Sequence, residues 1–183
     1  MQIERTAIDG PLIVRPRKHG DHRGFFSETF RASALKEAGV DVDWVQDNHS
    51  FSTARGVVRG LHFQRAPKAQ AKLLRVVRGA ILDVAVDIRK GSPTYGKHVA
   101  AELSAENWAQ LYVPVGFAHG FCTLTENAEV LYKVSVEYGP AEEGGVLWSD
   151  PDLGIDWPIH AEQATLSPRD REWPLFKQLV SPF

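Results

Sequence analysis

Two stretches of this chain alternate apolar and polar residues with a period of two, and this pattern limits the fold more than any other feature. In residues 80–88, every second side chain is a large aliphatic one, and Asp83 lies on the opposite face. In residues 129–138, the even-numbered positions are valine or tyrosine, so we expect Tyr132 and Tyr138 on one side of one strand. Such alternation is typical of strands that bury one face.

Glycine and proline, 15 and 11 residues respectively, cut the chain into short segments, as in sandwiches and barrels. One short helix is predicted over residues 33–39, with Ser33 as the N-cap and Gly39 as the stop. A turn at residues 104–107 is a second candidate helix. Prolines in the last stretch disfavour a long helix, so we expect short turns wrapped around a barrel. The sequence therefore predicts a mostly β fold, a double-stranded β-helix or jelly roll with a few short helices.

The bulk properties indicate an ordinary globular protein. With 183 residues, the chain is long enough for one domain, residues 1–183, with a substantial core. A formal net charge of −2 gives no reason to expect nucleic-acid binding, so an anionic ligand would need a local basic cluster. The single cysteine, Cys122, excludes an intrachain disulfide and favours a reducing compartment. Because we find neither a signal-peptide pattern nor a membrane-length apolar run, we expect a cytoplasmic protein.

Two glycine-containing segments carry the most informative histidines. Residues 114–119 have the Pro-x-Gly-x-x-His spacing of a cupin barrel motif, which ends at His119. The segment before it, residues 56–64, lies where cupins place a His-x-His metal pair, yet here His62 is followed by Gln64. A catalytic metal site usually needs about three protein ligands. We therefore expect a cupin-like pocket without a metal, and a site built from scattered histidines is the less favoured alternative.

His62 is a candidate general base, because the unperturbed pKa of a histidine, about 6.5, suits proton transfer near neutral pH. The alternative is a buried histidine that bonds a carbonyl group. The nearby Arg59 and Gly60 favour the general base, because they indicate a strand segment that lines a ligand pocket. In a regular strand, Arg59 and His62 would point to opposite faces. A shared pocket therefore requires a bulge, which Gly60 permits.

Several other residues have both a structural and a functional interpretation. Tyr132 is either a core aromatic residue or a general acid assisted by a neighbouring cation. Lys72 is either a solvated residue at a strand edge or the cation that stabilises an enolate oxygen. The polar runs at residues 20–30 and 45–50 suit either turns or ligand contacts, and Arg23 in the first run is a candidate phosphate ligand.

Seven motifs, taken in their order along the chain, resemble those of the dTDP-4-dehydrorhamnose 3,5-epimerases. They extend from about residue 15 to residue 170, which makes the resemblance far more specific than a single motif. The motifs are GDHRGFFSETF, WVQDNHS, GVVRGLHFQ, QAKLLRVVRGAILDVAVDIRKGSPTYGK, LYVPVGFAHGF, VLYKVSVEYGPAEEGGVLWSDPDLGIDWP and LSPRD.

The resemblance implies a homodimer, free of metal and cofactor, that inverts carbons 3 and 5 of dTDP-4-dehydro-6-deoxy-D-glucose to give dTDP-4-dehydro-L-rhamnose. His62 would remove the proton beside the keto group, Tyr132 would return one from the opposite face, and Lys72 would stabilise the enolate. Asp170 would orient His62, and Asp83 is the second candidate for that carboxylate. Binding of a dTDP-linked sugar is thus expected, without a nucleic-acid or membrane partner.

The same resemblance implies which residues hold the substrate. Arg59 and Arg23 would bind the diphosphate, and Arg23 of the partner subunit is an alternative source of that contact. Tyr138 would stack on the thymine ring. Further contacts to the nucleotide, the sugar or the closing edge of the site are implied for Glu28, Gln46, Asp47, Asn48, His119, Glu143 and Arg169.

The chain departs from the family pattern just before Asp170, where the family often has a lysine and this chain has Pro168 and Arg169. A guanidinium binds phosphate differently from an ammonium. Relatives of this architecture that invert only carbon 3, or that move the keto group, remain alternatives. Two others are a metal cupin such as a dioxygenase and a non-catalytic module that binds sugar nucleotides. We favour proton transfer, because a base and an acid on opposite faces suffice to invert a carbon beside a ketone.

Overall fold

Antiparallel strands make up most of the regular secondary structure in the computed structural model, which describes all residues from Met1 to Phe183. The only α-helix is α1 (Ala32–Glu37), and four single-turn 3-10 helices lie near the C-terminus, at Pro151–Leu153, Ala161–Gln163, Arg169–Arg171 and Phe176–Gln178. In chain order the strands are β1 (Gln2–Arg5), β2 (Leu12–Arg15), β3 (Lys18–Asp21), β4 (Gly24–Ser27), β5 (Gln46–Ser52), β6 (Val58–Gln64), β7 (Lys72–Arg78), β8 (Ala80–Asp87), β9 (His98–Ser104), β10 (Gln110–Val113), β11 (Phe117–Thr123), β12 (Ala128–Val134) and β13 (Glu143–Gly145).

The strands form two main sheets and a separate hairpin. Six strands pair in the order β1-β2-β10-β7-β12-β5, and five pair in the order β13-β6-β11-β8-β9. Strands β3 and β4 form the hairpin. Neighbours within a sheet are rarely consecutive in the chain, because the chain crosses repeatedly between the sheets. The predicted cupin-like jelly roll is confirmed.

Apolar side chains from both sheets meet in the interior of the barrel. Leu74, Leu111 and Val130 extend inward from the six-stranded sheet, while Ile81 and Phe121 extend inward from the five-stranded sheet. Burial of one such side chain stabilises the fold by about 1.5–3 kcal/mol. This packing fixes which face of each strand points inward, and so which polar residues can reach the interior.

The five-stranded sheet is buried on both faces. Val84 and Val86 pack against the C-terminal segment (residues 146–183), whereas Ala85 packs in the barrel interior. This arrangement confirms the alternation predicted for residues 80–88. It also places Asp83 on the inward face, where a carboxylate needs a partner.

Helix α1 begins two residues earlier than the capping pattern requires. Arg31 occupies the N-cap position without a side-chain hydrogen bond, so the prediction of Ser33 as the cap was wrong. Burial of Leu35 against the outer face of the six-stranded sheet anchors the helix instead. The predicted stop is confirmed, because Gly39 follows the last turn with φ +92°, in the left-handed region that favours glycine.

The remaining predictions about local structure had mixed outcomes. Residues 104–107 form a turn rather than a helix, closed by two reciprocal hydrogen bonds of 2.9 and 3.1 Å between Ser104 and Asn107. The C-terminal segment does consist of short helical turns that cover the five-stranded sheet. None of the helices has the length and apolar character needed to cross a membrane.

Candidate active site

Polar side chains from both sheets line two adjoining cavities of about 310 and 140 Å³. Four residues border both cavities, namely His62, Lys72, Tyr132 and Glu143. The larger cavity is also lined by Ser50, Arg59, His119, Ser167, Arg169 and Asp170, and the smaller one by Gln46, Asn48, Gln64, Gln70 and Tyr138. The structure thus brings together all four residues predicted to be catalytic and most of those predicted to bind substrate.

A bulge in β6 allows Arg59 and His62 to face the same cavity. Two residues of this strand, Gly60 and Leu61, lie opposite the single residue Gly120 of β11. Gly60 has φ +132°, and a Cβ atom there would lie 2.5 Å from the Cα atom of Gly120. Only glycine fits this position, so the predicted bulge and its dependence on Gly60 are confirmed.

His62 forms a short hydrogen bond with Asp170, with 2.5 Å between Nε2 and Oδ1. The aspartate arrives on the 3-10 turn Arg169–Arg171 of the C-terminal segment and is only 4% exposed. Burial opposes the charge on Asp170, but hydrogen bonds from His62 and Ser167 outweigh it and lower the pKa of the carboxyl group. A carboxylate in this position keeps the proton of a neutral imidazole on Nε2, which leaves Nδ1 as the basic atom.

A second histidine–aspartate pair lies deeper in the wall of the cavity. His119 of β11 bonds Asp83 of β8, with 2.7 Å between Nε2 and Oδ1. Burial lowers the pKa of His119, although the negative charge of Asp83 opposes this shift. Of the two carboxylates that the sequence left open as the partner of His62, the structure therefore pairs Asp170 with it and Asp83 with His119.

Lys72 and Tyr132 supply the other two groups that can transfer a proton or stabilise a negative charge. Burial lowers the pKa of Lys72 to about 8, although Asp83 and Glu143 oppose this effect. Burial also raises the pKa of Tyr132, with Arg59 acting in the opposite direction. The cavity can therefore offer a histidine base, a cation and a protonated phenol to one bound molecule.

Strand β5 presents only every second side chain to the cavities. Gln46, Asn48 and Ser50 face inward, while Asp47 forms an ion pair of 2.9 Å with Lys133 on the outer face of the sheet. Asp47 therefore lies outside these two cavities, but it borders a third one, of about 340 Å³, together with Asn48 and Tyr132. The period of two explains its separation from Gln46 and Ser50, since neighbouring side chains of a strand point to opposite faces.

Tyr138 reaches the smaller cavity from a loop and not from a strand. Strand β12 ends at Val134, so the prediction that one strand carries both phenol groups was wrong. After Val134, side-chain hydrogen bonds hold the backbone, as when the side-chain amide of Gln70 donates to the carbonyl of Val136. The Tyr138 hydroxyl donates to Glu143 over 2.8 Å, and Arg169 bonds the same carboxylate.

Gln64, which stands where the second histidine of a metal pair would lie, supports the same loop. Its Nε2 donates to the carbonyl of Lys68 over 2.7 Å, and its Oε1 accepts from the amide of Gly139 over 3.0 Å. Nowhere in the chain do three or more His, Cys, Asp or Glu side chains form a group that could hold a metal ion. The residue type at position 64 thus serves backbone hydrogen bonding.

Two predicted substrate ligands lie outside the cavities of their own chain. Arg23, on the β3–β4 hairpin, bonds Asp21 over 2.5 Å, and Glu28 lies 3.6 Å from Arg31. Both are exposed, as are the hairpin residues Phe25 and Phe26. One chain alone therefore does not place Arg23 or Glu28 at the site.

Sequence reasoning did not assign roles to several side chains at the site. Ser50 has a buried hydroxyl with no protein partner, and its alternation with Gln46 and Asn48 was the signal that could have revealed it. Ser167 bonds Asp170, three residues later. Trp173 packs with its ring centroid 6.0 Å from that of His62, and no periodic pattern marks it.

The barrel and the side chains in its cavities define a cupin-like jelly-roll enzyme with the groups for acid–base chemistry on a small molecule. Residues 5–178 match the family model described as dTDP-4-dehydrorhamnose 3,5-epimerase. The chain therefore belongs to the dTDP-4-dehydrorhamnose 3,5-epimerase family, a family of isomerases, as its motifs predicted.

Individual relatives resemble the chain over nearly its whole length. A dTDP-4-dehydrorhamnose 3,5-epimerase from Shigella flexneri is 52% identical over 171 residues, which cover 93% of each protein. The crystal structure of a Legionella pneumophila dTDP-6-deoxy-D-glucose-3,5-epimerase with dTDP-4-keto-L-rhamnose is 45% identical, has a TM-score of 0.92 and covers 97% of this chain and 94% of that one. A 3′-monoepimerase from Streptomyces bikiniensis in complex with dTDP-quinovose is 39% identical, with a TM-score of 0.89 and coverage of 95% and 87%.

Proposed function

We propose that this protein is a dTDP-4-dehydrorhamnose 3,5-epimerase, which converts dTDP-4-dehydro-6-deoxy-D-glucose to dTDP-4-dehydro-L-rhamnose. The observation that carries the proposal is the placement of the His62–Asp170 pair, Lys72 and Tyr132 around shared cavities. The names of relatives 45–52% identical to the chain give the substrate class. No metal or organic cofactor is needed for this reaction.

The first step is removal of a proton beside the 4-keto group. Such a hydrogen is acidic because the resulting negative charge moves onto the keto oxygen. Since Asp170 accepts from Nε2 of His62, the proton is taken up by Nδ1, and the carboxylate stabilises the imidazolium that forms. The ammonium of Lys72 stabilises the enolate oxygen.

The second step returns a proton to the other face of the same carbon. Tyr132 donates its phenolic proton, and the electron pair of the enolate forms the new C–H bond while the ketone is restored. Burial keeps Tyr132 protonated before this step, because it raises the pKa of the phenol. Exchange with solvent then removes the proton from His62 and returns one to Tyr132, and the cycle repeats at the second carbon.

The diphosphate and nucleotide are held around this centre. Arg59 lies at the rim of the larger cavity, where its guanidinium can bind phosphate oxygens in a bidentate manner. Tyr138 stacks on the thymine ring, and Glu143 closes the site by holding Tyr138 and Arg169 together. Amide and imidazole contacts to the substrate come from Gln46, Asn48 and His119.

A second copy of the chain completes the site. This proposal is supported by the position of Arg23 and Glu28 outside their own cavities, on or just after a hairpin that exposes Phe25 and Phe26. The cavity-lining strand β5 is the outermost strand of its sheet, so a neighbouring chain can approach it. The dimeric state is proposed from the resemblance to the family. We also propose that the enzyme has one domain and acts in the cytoplasm.

Inversion of both carbons is favoured over inversion of carbon 3 alone. The relatives named 3,5-epimerases include one that is 52% identical, whereas the 3′-monoepimerase is 39% identical. Both share the fold, so small differences in the orientation of the sugar decide between the two outcomes. The single inversion is therefore the second candidate function.

Solvent deuterium incorporation tests this proposal directly. The protein is incubated with dTDP-4-dehydro-6-deoxy-D-glucose in heavy water, and the label at carbons 3 and 5 is followed by NMR. We expect label at both carbons, lost in His62→Ala and retained in His49→Ala, a change at an exposed histidine bonded to Glu129. Label at carbon 3 alone would identify a monoepimerase. Nucleotide binding without any label would leave a binding module.

A further inference from the structure

Ser167 extends the His62–Asp170 pair by one more hydrogen bond. Its hydroxyl donates to Oδ2 of Asp170 over 2.9 Å, while the other carboxylate oxygen, Oδ1, bonds His62. Each oxygen of the carboxylate therefore has its own partner. Because rotation about the last bond of an aspartate side chain is soft, two fixed partners hold this carboxylate far better than one.

The hydroxyl of Ser167 is committed to Asp170 and is not free to donate to a substrate. A serine hydroxyl has one donor, and here Asp170 Oδ2 accepts it. The Oγ atom of Ser167 also accepts from the backbone amide of Asp170 over 3.2 Å. Although Ser167 lines the larger cavity, it can therefore affect a bound molecule only through the aspartate.

The other nearby side-chain donor is Trp173, whose indole also lowers the pKa of the Asp170 carboxyl group, but less than Ser167 does. Asp170 lies in a three-residue 3-10 turn within an irregular segment, so neither a strand nor a long helix fixes the direction of its side chain. We propose that Ser167 is a positioning residue, which turns the Asp170 carboxylate toward Nε2 of His62 and so keeps Nδ1 available as the base. The catalytic consequence rests on the proposed function, but the hydrogen-bond geometry does not.

Proton NMR of the free enzyme and steady-state kinetics together test this proposal. The proton in the short hydrogen bond between Nε2 of His62 and Asp170 should give a strongly downfield resonance. Its loss in Asp170→Asn would assign that resonance to this hydrogen bond. In Ser167→Ala, we expect this resonance to move upfield or broaden, kcat to fall about tenfold and KM to stay within about twofold. Ser167→Thr keeps the hydroxyl and should restore the resonance and kcat. Ser149→Ala, at an exposed serine of the same segment, is the matched control.

The outcomes separate the role of Ser167 from other roles and from the proposed reaction. An unchanged resonance in Ser167→Ala would overturn the positioning role, and so would a rise in KM without a fall in kcat, which would indicate direct substrate contact. A threonine variant as impaired as the alanine variant would also contradict it. If the wild-type protein exchanged no substrate hydrogen at all, the proposed function would fail, whereas the resonance would still decide the role of Ser167.

Discussion

The barrel wall and the C-terminal segment each supply one aspartate to a histidine of the same cavity, yet the two pairs differ in origin and environment. His119 and Asp83 belong to adjacent strands, and their side chains are 7% and 0% exposed. His62 is 27% exposed, and its partner Asp170 comes from an irregular turn 108 residues away. Burial disfavours a charge on His119, so we expect this pair to hold the wall and to contact the substrate as a neutral imidazole, while the more open pair can exchange protons with a ligand.

Replacement of the two histidines should give the largest difference in kcat between the two pairs. Because His62 is the proposed base, His62→Asn should lower kcat about 10³-fold, within the usual contribution of a general base. His119→Asn keeps an N–H for Asp83 and should cost only about tenfold. Both losses would be measured as the rate of deuterium incorporation at saturating substrate. Equal losses in the two variants would contradict the division of roles between the two pairs.

Replacement of the aspartate partner of His62 should have the next largest effect. Asp170→Asn keeps the shape of the side chain but removes the charge that stabilises the imidazolium, so we expect kcat to fall about 100-fold. Asp83→Asn should change kcat less than tenfold at pH 7. Steady-state kinetics of the two variants give the ratio, and circular dichroism checks that both remain folded. A larger loss in Asp83→Asn would reverse the assignment.

The two pairs also differ in how far the sequence predicts them. Alternation along residues 80–88 separates Asp83 from the large aliphatic side chains, and the structure then shows that the face with Asp83 points inward. No periodicity marks Asp170, because an irregular segment brings it to His62, and only the resemblance to a family indicated it. Local patterns thus predict strand faces, whereas contacts made by loops depend on the complete fold.

The differences between the predicted and the observed surroundings of the site have the same physical origin. Asp47 was grouped with its neighbours as a motif, although adjacent residues of a strand face opposite sides. Tyr138 was assigned to a strand that ends four residues earlier, where side-chain amides replace the strand pairing. Ser167 escaped notice because its importance comes from a bond to Asp170 and not from its own position in a pattern.

The pH dependence of catalysis should sharpen the role of the buried pair. The enolate needs the protonated form of Lys72, whose pKa burial lowers to about 8, so kcat should fall as the pH rises through about 8. The charge of Asp83 raises the pKa of Lys72, and its removal in Asp83→Asn should move this alkaline limb to lower pH. Lys72→Arg, which stays charged, should lose the limb. A limb that stays in place in Asp83→Asn would show that the two groups do not interact.

A second buried aspartate of β8 should affect stability and leave catalysis almost unchanged. Asp87 also faces inward but bonds no histidine, since its carboxylate accepts from Arg89, Ser92 and Thr94 over 2.6–2.9 Å. Burial opposes its charge, but these bonds prevail and lower the pKa of Asp87 to about 2. We expect Asp87→Asn to lower the free energy of unfolding by about 2 kcal/mol at pH 7, with kcat within twofold of the wild-type value.

The dependence of this effect on pH follows from the lowered pKa. A carboxyl group whose pKa is lower in the folded than in the unfolded state stabilises the fold above pH about 4, and this stabilisation is lost as the pH falls toward 2. The difference in urea stability between wild type and Asp87→Asn should therefore shrink between pH 7 and pH 3. A large loss of kcat in a folded Asp87→Asn variant would contradict the distinction between aspartates that bond a histidine and one that serves stability alone. It would mean that a buried aspartate of the wall can affect the chemistry without contact with a histidine.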